Sequence, residues 1–159
     1  MTAKTAVVLF LTGEGHDHRH RSLDDVLAYD DSMLERSHDY IQWLFPLPEA
    51  SRFNHNAPVL RPEDMAEIKA SDAAKANMRR ARDRMLDFYK VNDHWLTAFD
   101  HNHLRITRII RCLKLALGTD EARGFHDEIR ALVAAAGNPV NAESLSYWRN
   151  AAGKSSDPC

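Results

Sequence analysis

The chain has 159 residues, of which 44% are hydrophobic and 28% charged, as in a globular protein large enough to bury a core. Its net charge of −2 gives no overall positive field, so nucleic acid is not an expected partner. Two cysteines, Cys112 and Cys159, are too few for a disulfide framework and indicate a reducing compartment. The early apolar run over residues 6–11 is too short for a signal peptide or a transmembrane segment. We therefore expect a soluble, cytoplasmic protein.

The first part of the chain predicts an extended segment followed by two helices. Residues 6–12 are rich in β-branched and apolar residues and could form a strand, but no partner strand is evident, so an extended segment packed on helices is equally expected. Ser22 with Asp25 predicts a capped start for a short helix. A second helix is predicted over 32–45 and ends at Pro46, because proline cannot continue a helix.

The rest of the chain predicts more helices. Pro62 suits a first turn, Ser71 and Asn141 suit helix caps, and Gly118 suits a helix end. Helices are expected over 62–70, 71–90, 104–117 and 119–136, with a short one after Asn141. The fold class is all-α, a compact single domain over 1–152 with six or seven helices and an extended N-terminal segment. The tail over 153–159 is expected to be disordered.

Two polar side chains lie within the apolar pattern of the 32–45 helix. At 100° per residue, His38 falls at the centre of the apolar face and Gln42 follows one turn later, while Trp43 points the opposite way. A helix that is apolar on two sides is normally central. His38 and Gln42 are therefore either buried, hydrogen-bonded residues or contacts to a ligand.

The predicted 104–117 helix has a mixed second face. Opposite its isoleucine stripe, arginines alternate with apolar side chains: Arg105, Arg108, Arg111, Leu104, Leu115 and Cys112. Such a mixture indicates a second contact surface rather than a purely solvated face. The arginines could pair with acids of a neighbouring helix, such as Glu35 or Asp39, or could bind an anionic ligand through their forked donors.

These segments carry a family resemblance. His-Asp-Tyr-Ile-Gln-Trp-Leu-Phe-Pro at 38–46, Asn-Ala-Pro at 56–58 and the run from Asn102 to Ile109 resemble the conserved domain of the opioid growth factor receptor family. The resemblance covers roughly residues 20–130. It implies a helical, non-catalytic domain, and the animal namesake is a receptor for a pentapeptide opioid, at the nucleus and associated membranes, that restrains growth.

We therefore predict a non-enzymatic, receptor-like binding module with an unknown peptide or protein partner and no cofactor. The candidate surface lies where the 38–48 segment and its following loop meet the start of the 104–117 helix. Aromatic side chains and arginines are typical of binding hot spots. The candidate residues are His38, Gln42, Trp43, Phe53, Asn54, Asn56, Trp95, Asn102, Arg105 and Arg108. Asn102 is also expected to cap its helix, and a homodimer through an exposed aromatic face is a further alternative.

Two other classes of function are weaker alternatives. His16, His18 and His20 would point one way on an extended segment and could hold a metal ion, and with His38 could serve a metal-dependent enzyme. The run Arg79–Arg84 and the arc Arg105–Arg111 could contact phosphate or nucleic acid. No catalytic motif is evident, so we expect neither catalytic residues nor a resident metal.

Overall fold

The computed structural model describes residues 4–51 and 54–153. All regular secondary structure in these residues is helical, apart from an isolated parallel bridge between Leu47 and Val59, which confirms the all-α fold. No helix in the described part is long and apolar enough to cross a membrane. The helices of the described ranges are α1 Ala6–Thr12, α2 Leu23–Leu27, α3 Asp31–Arg36, α4 Ile41–Leu44, α5 Pro62–Ala70, α6 Asp72–Val91, α7 Asn102–Leu117, α8 Thr119–Ala135 and α9 Ala142–Ala151.

The chain divides into two compact units, residues 1–81 and 82–159. The boundary falls within α6. A single domain over 1–152 stays a prediction. The predicted disordered tail lies outside the described residues from position 154 onward, as do Phe53 and Cys159.

The prediction of an extended segment over 6–12 is wrong, because these residues form helix α1. A lone strand would leave its backbone groups unpaired, whereas a helix satisfies its own and still buries Phe10 and Leu11. The helix ends at Gly13, whose φ of 88° is the left-handed conformation that glycine adopts most easily. The Asn77 amide donates to Leu11 O at 2.8 Å, so a side chain from the start of α6 binds a terminal carbonyl of α1.

The single helix predicted over 32–45 is also wrong, because it is broken into α3 and α4. Ser37 is extended, with φ −83° and ψ 135°. The buried Tyr40 hydroxyl donates to Leu34 O at 2.7 Å and so occupies a carbonyl that a continuing helix would offer to the amide of residue 38. His38 consequently lies exposed in the break instead of at the centre of a buried face.

Other predicted helix starts in the first unit are confirmed. Ser22 and Asp25 form the expected capping box, and α5 begins at Pro62. Buried Asp64 accepts hydrogen bonds from Arg61 and from the Thr5 hydroxyl. Burial by itself would raise the pKa of Asp64, but the hydrogen bonds from Arg61 and Thr5 outweigh it and lower the pKa. The charged carboxylate therefore ties the start of α1 to α5.

In the second unit, α8 and α9 both pack on α7. The apolar side chains Phe125, Ile129 and Val133 of α8 are buried. Asn141 caps α9 as expected, accepting from Ser144 N at 2.8 Å. The predicted cap at Asn102 is wrong, because Asn102 is the first residue of α7 and Asp100 Oδ1 accepts from its amide at 2.9 Å. The Asn102 side chain does not cap the helix and is fully buried in the second unit.

We predict that Cys112 reacts with a thiol reagent only after unfolding. The thiol is fully buried in α7, and burial raises its pKa to about 12, so the reactive thiolate does not form at neutral pH. The measurement is the rate of release of thionitrobenzoate from Ellman's reagent, with and without urea, in a Cys159→Ser variant. Labelling of the folded variant as fast as of the unfolded one would contradict the burial of Cys112.

Candidate functional site

Three predicted residues of the first unit lie together and organise the loop after α4. The Asn54 amide donates to Gln42 Oε1 at 3.4 Å, and Asn54 Oδ1 accepts from the amide of Asn56 at 3.0 Å. Gln42 is buried, Asn54 half-buried and Asn56 exposed. These bonds hold the returning chain against α4, where Leu60 N donates to Leu47 O at 3.0 Å.

Trp43 is part of an aromatic cluster and does not offer an exposed ring. It is 6% exposed, meets Phe10 edge to face at a ring distance of 5.6 Å, and is stacked with His18 at 5.9 Å. Its Nε1 has no hydrogen-bond partner among the described residues. Apolar and ring contacts therefore hold this side chain.

The segment with His16, His18 and His20 is a closed turn rather than the extended strand we expected. Asp17 Oδ1 accepts from the amides of Arg19 and Arg21, and His20 has a φ of 60°. In this turn His18 is half-buried and stacked on Trp43, whereas His16 and His20 are exposed. No group of three His, Cys, Asp or Glu side chains in the described ranges is placed to hold a metal ion.

Asp39 joins this turn to the first signature segment, which we define as residues 38–46. Arg21 Nε donates to buried Asp17 at 2.6 Å, and Nη1 of Arg21 lies 3.1 Å from Asp39 Oδ1. Arg19 Nη1 donates to Asp39 Oδ2 at 3.1 Å, and His18 Nε2 lies 3.5 Å from the same oxygen. Burial opposes ionisation of Asp39, but Arg19 and Arg21 outweigh it and lower the pKa of the carboxyl.

The predicted residues of the second unit include two that belong to a chain of buried hydrogen bonds. Asn102, which is fully buried, accepts from the Tyr89 hydroxyl at 3.3 Å and from Arg105 Nη1 at 3.5 Å. The side-chain Nδ2 of Asn102 donates to Asp100 Oδ1 at 2.9 Å. Arg105 is 6% exposed, whereas Arg108 is half-buried.

Trp95 is buried completely, so it does not supply the exposed aromatic surface we expected. Its Nε1 donates to the carbonyls of Tyr89 and Asn92, at 3.1 and 2.8 Å. His103 Nε2 donates to Trp95 O at 2.9 Å, which requires the proton on that nitrogen because a carbonyl can only accept. His103 O in turn accepts from Trp148 Nε1 at 3.0 Å. These bonds connect the second signature segment, residues 102–109 at the start of α7, to the preceding loop and to α9.

The predicted site residues described above make hydrogen bonds or ring contacts within their own unit, and these contacts stabilise the fold. The structure brings Gln42, Asn54 and Asn56 together in the first unit, and Asn102 and Arg105 together in the second. Their contact with a ligand or partner stays a prediction.

The predicted basic run is largely engaged with acids. Arg80 lies 2.9 Å from Asp24 in the first unit. In the second unit, Arg82 Nη1 donates to Glu121 at 2.6 Å and Arg82 Nε donates to Asp83 at 3.0 Å. These contacts compete with any phosphate, so the geometry does not favour the nucleic-acid alternative.

The described surface of the second unit has two open clefts beside α7 and α9, of about 500 and 470 Å³. They share the lining residues Thr107 and Tyr147 and therefore lie side by side. Exposed apolar side chains border them: Phe99 is 80% exposed, Leu104 58%, Tyr147 48% and Leu115 40%. We call this surface the α7–α9 groove. Because exposed apolar side chains gather along it, this groove is a candidate interaction site.

Sequence reasoning identified part of this groove. The mixed second face predicted for residues 104–117 included Leu104 and Leu115, and both are exposed, although Cys112 is buried. Phe99 and Tyr147 were missed, because they come from the loop before α7 and from α9 and share no helical spacing with Leu104. The missed Lys114 lies beside Leu115 in the same cleft.

The fold and the site define a class, namely an all-α protein with an exposed apolar groove and two polar signature segments. A family model described as the opioid growth factor receptor conserved region matches residues 20–155. The chain therefore belongs to the opioid growth factor receptor conserved-region family.

Named relatives agree with this assignment. The chain is 34% identical over 114 residues to the mouse opioid growth factor receptor and 33% identical over 117 residues to the human one. These alignments cover 57% of the chain but 18% and 16% of the relatives. The mouse opioid growth factor receptor-like protein 1 is 34% identical over 101 residues, which cover 53% of the chain and 22% of the relative. The chain thus spans about a fifth of the length of these relatives. No solved structure gives a significant match.

We predict that Asp39 stabilises the fold at neutral pH and not in strong acid. Its folded-state pKa lies below the ordinary value of 3.8, so the unfolded chain binds the proton more tightly. The stabilisation is therefore complete above that value and is lost as pH falls through the lower folded-state pKa. Free energies of unfolding from urea titrations, between about pH 6 and about pH 2, should show Asp39→Asn destabilised at the higher pH and approaching the parent at the lower. Asp24→Asn, at a 76% exposed side chain, is the control and should change little. A pH-independent difference for Asp39→Asn would contradict the prediction.

We predict that Asn102→Ala destabilises the protein by about 1–3 kcal/mol, because it removes a buried acceptor for the Tyr89 hydroxyl and Arg105. The measurement is the free energy of unfolding in urea. Asn150→Ala makes the same chemical change at an exposed position of α9 and should stay within about 0.5 kcal/mol of the parent. Equal effects of the two substitutions would show that the Asn102 bonds add nothing to stability.

Proposed function

We propose that this chain is a non-enzymatic interaction module that binds an apolar segment of a partner protein in the α7–α9 groove. The observation that carries the proposal is the set of exposed apolar side chains Phe99, Leu104, Tyr147 and Leu115 along two adjacent clefts. An apolar side chain left in water has a free energy that burial against a partner would lower, by roughly 25 cal/mol for each Å² covered.

The polar groups around the groove also support binding rather than chemistry. Thr107 donates its hydroxyl to His103 O at 3.1 Å, and the Tyr147 hydroxyl donates to Glu143 at 3.0 Å. That bond to Glu143 raises the pKa of Tyr147, so the phenol stays neutral. A phenol with a raised pKa does not supply a phenolate nucleophile or base at neutral pH.

The relatives lend a second line of support. Their names describe receptors for an opioid growth factor, and a receptor acts by binding. The name describes those longer proteins, and a peptide or protein partner for this chain is our proposal. The α7–α9 groove supplies a surface on which such a partner could dock.

The test is a selection of random 16-residue peptides displayed on phage against the full chain. The groove variant is Leu104→Ser combined with Leu115→Ser, and the matched control is Val91→Ser, at a 76% exposed valine on α6. We expect selected peptides to be rich in apolar residues, to bind the parent and the control alike, and to bind the groove variant at least about tenfold more weakly. Circular dichroism and melting temperature must show that both variants are folded.

Two results would overturn the proposal. One is that no peptide sequence is enriched, or that enriched peptides bind the groove variant as well as the parent. The other is that the parent forms a dimer in sedimentation equilibrium and the groove variant a monomer, because a second copy of the chain would then occupy the groove.

A further inference from the structure

The two ends of the α7–α9 groove differ in their polar chemistry. At the Phe99 end the polar side chains are already bonded within the second unit. Asp100 Oδ1 accepts from the amide and side chain of Asn102, and Ser144 Oγ accepts from Asn141 at 2.9 Å. This end therefore offers mainly apolar contact to a partner.

The Leu115 end carries positive charge. Arg111 and Lys114 line the cleft there, together with Asn150, and none of its described lining residues is acidic. The side chains of Lys114 and Asn150 make no hydrogen bond or ion pair with another described residue. Both are exposed and both can donate hydrogen bonds. An acceptor that carries negative charge complements this end.

The position of Lys114 follows from a glycine at the end of α9. The Lys114 Nζ lies 2.8 Å from the place that a β-carbon on Gly153 would occupy, so a larger residue there would displace the ammonium group. Gly153 also has a φ of 74°, a conformation that glycine adopts readily. Arg123 Nη2 donates to Gly153 O at 3.2 Å, which brings another cation to the same place.

The secondary structure of the groove walls indicates the conformation of the partner. The walls are α7 and α9, whose backbone groups are largely used within the helices, and no described strand edge borders the groove. An extended segment would find few backbone partners there, whereas a helix satisfies its own backbone. The eleven residue steps from Leu104 to Leu115 span about 16 Å, or about three helical turns.

Resting on the proposed function, we infer that the partner segment is an amphipathic helix of about three turns with an acidic side chain at the end that meets Lys114. Its apolar face covers Leu104, Tyr147 and Leu115, and its Asp or Glu carboxylate accepts from the Lys114 ammonium. A charged hydrogen bond of this kind fixes the direction of the helix in the groove, because the Phe99 end has no matching free cation among its described lining residues.

The test is a phage library of alanine-based helical peptides of about four turns. Leucine is fixed at positions spaced by three and four residues. The positions that are neither leucine nor alanine vary among Asp, Asn and Lys. The library is selected against the full chain and against Lys114→Glu. The control is Lys69→Glu, which also reverses an exposed lysine in the last turn of a helix, but in the first unit.

We expect the parent and the Lys69→Glu control to enrich Asp at one end of the peptide, and Lys114→Glu to enrich Lys at that position. A synthetic peptide with the enriched Asp should bind Lys114→Glu about tenfold or more weakly than the parent, and its Asn counterpart should change little. The affinity of the Asp peptide for the parent should fall with added salt.

The outcomes separate this inference from the proposed function. If peptides are selected and lose affinity for the groove variant, but show no acidic preference or keep it with Lys114→Glu, the charge inference is wrong and the groove stands. If no peptide binds in a manner that depends on Leu104 and Leu115, the proposed function fails and the inference fails with it.

Discussion

Both units depend on one constraint, which is that polar side chains buried in apolar surroundings need hydrogen-bond partners. Leaving a buried donor or acceptor unpaired costs roughly 1–3 kcal/mol, a large part of the stability of a small protein. In the second unit Asn102 meets this constraint by joining Tyr89, Asp100 and Arg105. In the first unit Asp17 meets it by accepting from Arg21 and from two backbone amides of its own turn. These bonds set where the surrounding chain must lie.

This constraint explains why several residues that the sequence suggested for a binding surface are instead buried. Trp95, Asn102 and Arg105 are buried, and their hydrogen-bond partners are main-chain and side-chain groups of their own unit. Such residues specify the fold, because few other side chains could fill the same volume and satisfy the same donors. The exposed groove along α7 and α9 is built on that interior. Its apolar side chains are therefore free to serve a partner without loss of the core.

The sequence allowed the helices to be predicted where local signals agreed. Pro62, Ser71 and Asn141 begin helices as their chemistry requires, and the apolar stripe of α8 is buried. Prediction failed at residues 6–12, where β-branched residues form a helix, and at residues 37–40, where a helix is interrupted. In both places the outcome depends on a side-chain hydrogen bond to a backbone carbonyl, from Asn77 to Leu11 O in the first and from the Tyr40 hydroxyl to Leu34 O in the second. Helical periodicity carries no information about such bonds.

The sequence by itself determined the all-α class, the family and the mixed apolar and basic face of the helix that carries Leu104 and Leu115. These properties follow from local propensity, spacing and motif, which are readable along one chain. Only the tertiary structure decided which aromatic residues are buried, that the histidine segment is a turn around Asp17, and that Phe99 and Tyr147 join Leu104 and Leu115 in one groove. The physical reason is that burial and juxtaposition depend on how α7 and α9 pack together, and residues more than thirty positions apart meet only through that packing.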